Sequence, residues 1–171
     1  MHERHGFITF GGNPVTLLGY AAETGKKAPD FTAVRRDLTP FSLSSLAGKV
    51  LVINSVPSLD TGTCAAQARR FNQEAATLGD MTRVLVVSMD LPFAQKRFCA
   101  TEGITNLETL SDHRDASFGS AYGLLIKELR LLARAIVVID ADGVIRYQQL
   151  VPEVGQEPNY DEALTAIKQL L

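Results

Sequence analysis

The 171-residue sequence is 46% hydrophobic and 21% charged, with a net charge of −2, so it lacks the basic excess of a nucleic-acid binder. That length and mix suit one globular domain over residues 1–171 with a sizeable core. The N-terminal MHERHGFITFGG has no signal-peptide core, and no apolar run is long enough to span a bilayer, so a cytoplasmic protein is expected.

Apolar segments at His5–Phe10 and Val15–Leu18 flank Gly11-Gly12-Asn13-Pro14, which predicts an N-terminal hairpin. Residues 24–30 read as a polar loop, 31–35 as a strand, 37–40 as a turn and 42–48 as a single helical turn. Val50–Val56 is β-branched and apolar without alternation, as in a central strand covered on both faces. Pro57 stops its ladder because it has no N–H to donate. A helix then runs to about Leu78, with Cys64, Ala68, Phe71, Ala75 and Leu78 on one apolar stripe. Gln67, Arg69, Arg70, Gln73 and Glu74 fall on its other faces, and Gly79 is the expected C-cap.

Residues 83–89 predict a second central strand, followed by a helix capped by Asp90, with Pro92 in its first turn and Gly103 near its end. Leu91, Ala94 and Phe98 form the apolar side of that helix. Cys99 lies about 100° round from Phe98, at the boundary or on the polar side. A short strand is expected at 106–110 and a short helix at 116–122. Strands at 133–140 and 144–151 flank the turn Asp140-Ala-Asp142-Gly143, and an amphipathic helix closes the chain at 160–171. Strand–helix units followed by a hairpin and a helix give a mixed sheet with helices on both faces, a thioredoxin-like α/β plan. His2, His5 and His113 are not at metal-ligand spacing. Ser111-Asp112-His113-Arg114-Asp115 reads as a solvated loop, and Lys26-Lys27 and Arg69-Arg70 as solvated surface.

The only cysteines are Cys64 and Cys99. In a reducing compartment a structural disulfide is disfavoured. Two inert core thiols, one reactive thiol, or a redox pair all stay open at this level. Cys64 stands in the first turn of its helix, where the macrodipole and unpaired N–H groups favour the thiolate, the reactive form. Thr61 can cap this helix and turn its hydroxyl toward the sulfur, and Pro57 shields one side. The predicted antiparallel strand beginning at Arg134 starts from the same end of the sheet. Its guanidinium can therefore reach Cys64 as a fixed positive charge.

Pro57-Ser-Leu-Asp-Thr61-Gly-Thr-Cys64 resembles the active-site motif of the peroxiredoxin family. PSLDTGTC, DLPFAQKRFC, ARAIVVID and EPNYDEAL resemble its thiol peroxidase branch, the atypical two-cysteine peroxiredoxins. Thr63 departs from the pattern, which has a small apolar residue there. The resemblance implies that Cys64 is the peroxidatic and Cys99 the resolving cysteine, and that Thr61 and Arg134 orient the peroxide while Pro57 shields the sulfur. It further implies reduction of hydrogen peroxide and organic hydroperoxides through a Cys64 sulfenic acid and a Cys64–Cys99 disulfide. Thioredoxin would recycle the disulfide in a homodimer that needs no metal, flavin or haem, because sulfur carries the electrons. A disulfide oxidoreductase on the same fold would want Cys-x-x-Cys, which Cys64-Ala-Ala-Gln67 does not supply. A redox sensor using the same two thiols would differ by oxidising once without turnover. The two sulfurs are expected too far apart to bond until one helix locally unwinds.

Overall fold

The structure, a computed structural model, describes residues 1–171. In chain order it contains β1 (Glu3–Phe10), β2 (Asn13–Leu18), β3 (Thr32–Arg35), β4 (Pro40–Ser42), a 3₁₀ turn (Leu43–Leu46), β5 (Val50–Ser55) and α1 (Gly62–Ala75). There follow β6 (Thr82–Ser88), α2 (Pro92–Glu102), β7 (Glu108–Ser111), α3 (Ser117–Tyr122), β8 (Leu125–Ile126), β9 (Leu131–Leu132), β10 (Ala135–Ile139), β11 (Ile145–Leu150) and α4 (Tyr160–Lys168).

A seven-stranded sheet of order β11-β10-β5-β6-β7-β3-β4 forms the centre, and a four-stranded sheet β1-β2-β8-β9 flanks it. β5, β6 and β7 run parallel, while β10 lies antiparallel between β5 and β11. Every residue of β5 is buried, as its unbroken apolar run requires. Alternation then sorts the side chains. Val52, Val84, Val86, Ile136 and Val138 point to one face, where α1, α2 and α4 pack through Phe71, Cys99 and Ile167. Leu51, Ile53, Leu85 and Val137 point to the other, against α3 and the flanking sheet. The mixed sheet, the helices on both faces and the N-terminal hairpin agree with the expected thioredoxin-like plan.

Several local expectations are corrected. β4, β8 and β9 are too short to show a period and escaped prediction. Helix α1 ends at Ala75 because both the N–H and the hydroxyl of Thr77 turn back onto the Glu74 carbonyl. Gly79, at φ 84°, sits in the following turn and not at the C-cap. Asp90 caps nothing: the N-cap of α2 is Leu91, which supplies no side-chain bond. The buried side of α2 is Pro92, Gln95 and Cys99, while Leu91 and Phe93 are 52% and 65% exposed. Gln95 turns that face inward because its amide donates to the Ser88 hydroxyl and to the Leu110 carbonyl, both on the sheet. The 111–115 segment is not uniformly solvated either. Ser111 and Asp112 are buried, and the Asp112 carboxylate accepts the Phe118 and Gly119 N–H groups at the start of α3.

Candidate active site

The turn between β5 and α1 carries the predicted motif. Pro57 is buried at the end of β5. Asp90, just beyond the end of the parallel neighbour β6, holds this turn from the side. It accepts the Ser58 hydroxyl at 2.7 Å and the Leu59 N–H at 2.8 Å. Its polarity thus satisfies a loop rather than a helix end. Thr61 occupies the N-cap position of α1 with extended backbone, but its hydroxyl makes no capping bond. It donates to the Ser58 carbonyl at 2.9 Å, closing the turn on itself. The expected Thr61 side-chain cap is therefore absent.

Cys64 is the third residue of α1 and is fully buried. Arg134 precedes β10 by one residue, and alternation puts it on the face of Ile136 and Val138, under α1. It is 1% exposed, so the snorkelling typical of arginine is not seen here. Its Nη2 donates to the Cys64 Sγ at 3.1 Å, its Nη1 to the Gln67 Oε1 at 2.9 Å and its Nε to the Val154 carbonyl at 2.8 Å. Three fixed acceptors leave a planar guanidinium one orientation. No carboxylate accepts from it, so its positive charge is directed at the sulfur.

A second rank supports this contact. Gln67 lies one turn beyond Cys64 on the buried face and not, as expected from its polarity, on an outer face. Its Nε2 donates to the Asn54 Oδ1 at 2.9 Å, and Asn54 Nδ2 in turn donates to the Leu85 carbonyl at 3.4 Å. Buried amides linked in this way polarise one another and hold each orientation. The signal for both residues was present. Asn54 interrupts an apolar strand buried on both faces, and Gln67 stands three residues from Cys64 on the same helix.

An open groove of about 430 Å³ runs between the start of α1 and α2, lined by Thr61, Gly62, Ala65, Arg97 and Phe98. Cys99 belongs to the same hydrophobic cluster as Cys64 and is 3% exposed, corrected from the polar boundary to the buried face. Its Sγ lies 3.8 Å from the Thr109 hydroxyl. Both cysteines are free thiols. A separate groove of about 420 Å³ lined by Lys96, Cys99 and Ile104 approaches the second thiol. A further cavity of about 280 Å³ sits at the other end of β5 beside Leu51 and Asp140 and contains none of these residues. Nowhere do three or more His, Cys, Asp or Glu side chains converge to ligate a metal.

Chemically, a buried sulfur facing one unneutralised guanidinium at a helix start is arranged as a nucleophile with a fixed donor beside it. Residues 23–164 match the Redoxin family. The chain is 56% identical over 164 residues to the thiol peroxidase of Halalkalibacterium halodurans, covering 96% of this chain and 98% of that protein. It is 52% identical over 164 residues to the thiol peroxidase of Bacillus subtilis, covering 96% of this chain and 98% of that one. Among solved structures, a peroxiredoxin-like protein from Aquifex aeolicus superposes with a TM-score of 0.90 at 42% identity, covering 98% and 99% of the two chains.

Proposed function

The chain belongs to the Redoxin family, among its thiol peroxidases, and reduces peroxides with a thiol; from that premise we propose how its residues divide the reaction. The Cys64 thiolate attacks the terminal oxygen of ROOH. The O–O bond breaks, the alkoxide takes up a proton and leaves as ROH, and Cys64 becomes a sulfenic acid. The Cys99 thiol then displaces the sulfenic oxygen as water, giving the Cys64–Cys99 disulfide. A thioredoxin-class dithiol reduces that disulfide by exchange, supplying the two electrons that the peroxide consumed.

Arg134 holds the attacking anion and supplies N–H groups toward the oxygen on which charge develops. Thr61, on the wall of the groove, orients the peroxide, and Pro57 keeps water from one side of the sulfur. The observation that carries this reading is the 3.1 Å bond from Arg134 Nη2 to Cys64 Sγ inside a fully buried site. The same reading treats residues 1–171 as one domain. Hydrogen peroxide and organic hydroperoxides are its substrates, and antioxidant defence in the cytoplasm is its setting, where the recycling dithiol is kept reduced. We further propose a homodimer, supported by the exposed apolar pair Leu91 and Phe93 at the start of α2.

The test is a coupled assay with peroxide, thioredoxin, its reductase and nicotinamide cofactor. Wild type should consume many equivalents of peroxide. Cys64→Ser should consume none, and Cys99→Ser should react once and then stall. Normal turnover by Cys64→Ser contradicts the assignment.

A further inference from the structure

Thr63, the residue that departs from the peroxiredoxin pattern, is not idle. Its hydroxyl donates to the Gly155 carbonyl at 3.0 Å. Gly155 belongs to the loop that follows β11, and the same loop presents the Val154 carbonyl to Arg134. Two residues before Gly155, the Glu153 carboxylate gathers donors from both sides. It accepts the Gly155 N–H at 2.8 Å, the Gly12 N–H at 2.8 Å, the Gly11 N–H at 3.3 Å and the Thr9 hydroxyl at 3.0 Å. Backbone bonds from Thr9 N to the Pro152 carbonyl and from Val154 N to the Thr9 carbonyl complete the tie to the N-terminal hairpin. Loop 152–155 is therefore a strap. One end is sewn to the β1–β2 hairpin, and the other touches the first turn of α1 and the arginine that faces its sulfur. Backbone donors from Gly155 and Gly12 hold the Glu153 carboxyl down at about 2, so the clamp keeps its charge across the working pH range.

We propose that Thr63 is a positioning residue: through Gly155 it latches the first turn of α1 to the hairpin-anchored strap, and this latch sets how often that turn opens. The proposal rests on the reading above, in which Cys64 and Cys99 form a disulfide, and it takes the first turn of α1 as the segment that unwinds for that step. The latch is the one side-chain bond that α1's first turn makes to the strap, and it must break when the turn unwinds. With it closed, Cys64 stays against Arg134 and reacts with peroxide. With it open, Cys64 sulfenic acid reaches Cys99. A tighter latch favours the first step and a looser one the second.

The test reads amide exchange in the reduced full-length protein at Ala65 and Ala66, Ala65 N–H being bonded to the Thr61 carbonyl at 3.0 Å. It also reads disulfide formation after a peroxide pulse, by rapid quench, alkylation and mass spectrometry. Thr63→Val keeps the shape and removes the donor. It should raise exchange at these amides about fivefold and speed the disulfide step by a similar factor, the opening expected on losing one hydrogen bond. Thr63→Ser should restore both. Glu153→Ala touches nothing in α1, yet it should raise exchange at the same two amides because it frees the strap from the hairpin. Unchanged exchange in Thr63→Val overturns the latch. If exchange responds but wild type never forms a Cys64–Cys99 disulfide, the latch stands and the assignment of Cys99 falls.

Discussion

In the proposed reaction Arg134 gives the sulfur its chemistry, and the orientation of its guanidinium depends on neighbours that are themselves polar and buried. Removing a donor aimed at developing charge typically costs about 10²–10³ in rate. Arg134→Gln should therefore lower the rate constant for the reaction with peroxide by roughly a hundredfold, measured in a single turnover followed by thiol titration. Gln67→Leu leaves Arg134 in place but removes its Nη1 partner and strands the Asn54 side chain. It should slow the same step by about tenfold and lower stability in urea by about 1–3 kcal/mol. An equal loss of rate in the two variants would show that orientation matters as much as charge. Arg134 is legible in the sequence, because strand direction alone brings residue 134 to the end of the sheet where Cys64 lies. Gln67 carries a weaker signal, its spacing from Cys64, which is outweighed because polarity on a helix is ordinarily read as exposure. Only its pairing with Asn54 and Arg134 makes its burial tolerable.

Among the elements, β5 and β6 were readable to within a residue because apolar strands covered on both faces leave an unbroken run. Helix α2 lies where expected, and of its expected apolar side Ala94 and Phe98 are half-buried, with Phe98 packed on the core, while Leu91 is exposed. Its apolar side chains Leu91 and Phe93 face outward, and the bonds of Gln95 to the sheet decide which side is buried. Periodicity cannot anticipate a face chosen by hydrogen bonds. Asp90 and Asp112 are two carboxylates whose partners include groups outside their own local turn, so neither role had a simple sequence signature. Burial pushes the Asp112 carboxyl up to about 6, outweighing the N–H groups of Gly119 and Phe118 that favour its charged form. A folded-state value above the unfolded one means that the folded protein binds this proton more tightly. Its contribution is complete below about pH 4 and is lost as pH rises through about 6. Urea midpoints measured between pH 4 and 8 should carry this falling component, and Asp112→Asn should remove it. A Cys64 activity profile that followed Asp112→Asn would contradict a purely structural role for this residue.

At the scale of the molecule, the order of strands and helices was enough to give the mixed central sheet, and the Gly-Gly-Asn-Pro turn gave the hairpin. What the hairpin does was not legible, because its partner β8 and the strand β9 beyond it have two residues each and its tie to Glu153 spans more than 140 positions. The proposed homodimer belongs to this scale as well, with the exposed Phe93 as a side chain it would cover. Sedimentation velocity should report a dimer for wild type and a shift toward monomer for Phe93→Glu, which places a charge in the proposed interface. A monomeric wild type would set the dimer aside without touching the site.

In the proposed reaction Cys64 takes the oxygen and Cys99 resolves it. The most direct measurement treats reduced Cys99→Ser with one equivalent of hydrogen peroxide, traps sulfenic acid with a 1,3-dione and locates the adduct by peptide mass spectrometry. The adduct should sit on Cys64 in nearly all of the protein. Wild type treated alike should show little adduct and a Cys64–Cys99 disulfide. A Cys99→Ser protein that consumes peroxide without any adduct or oxidised product on Cys64 would contradict the account.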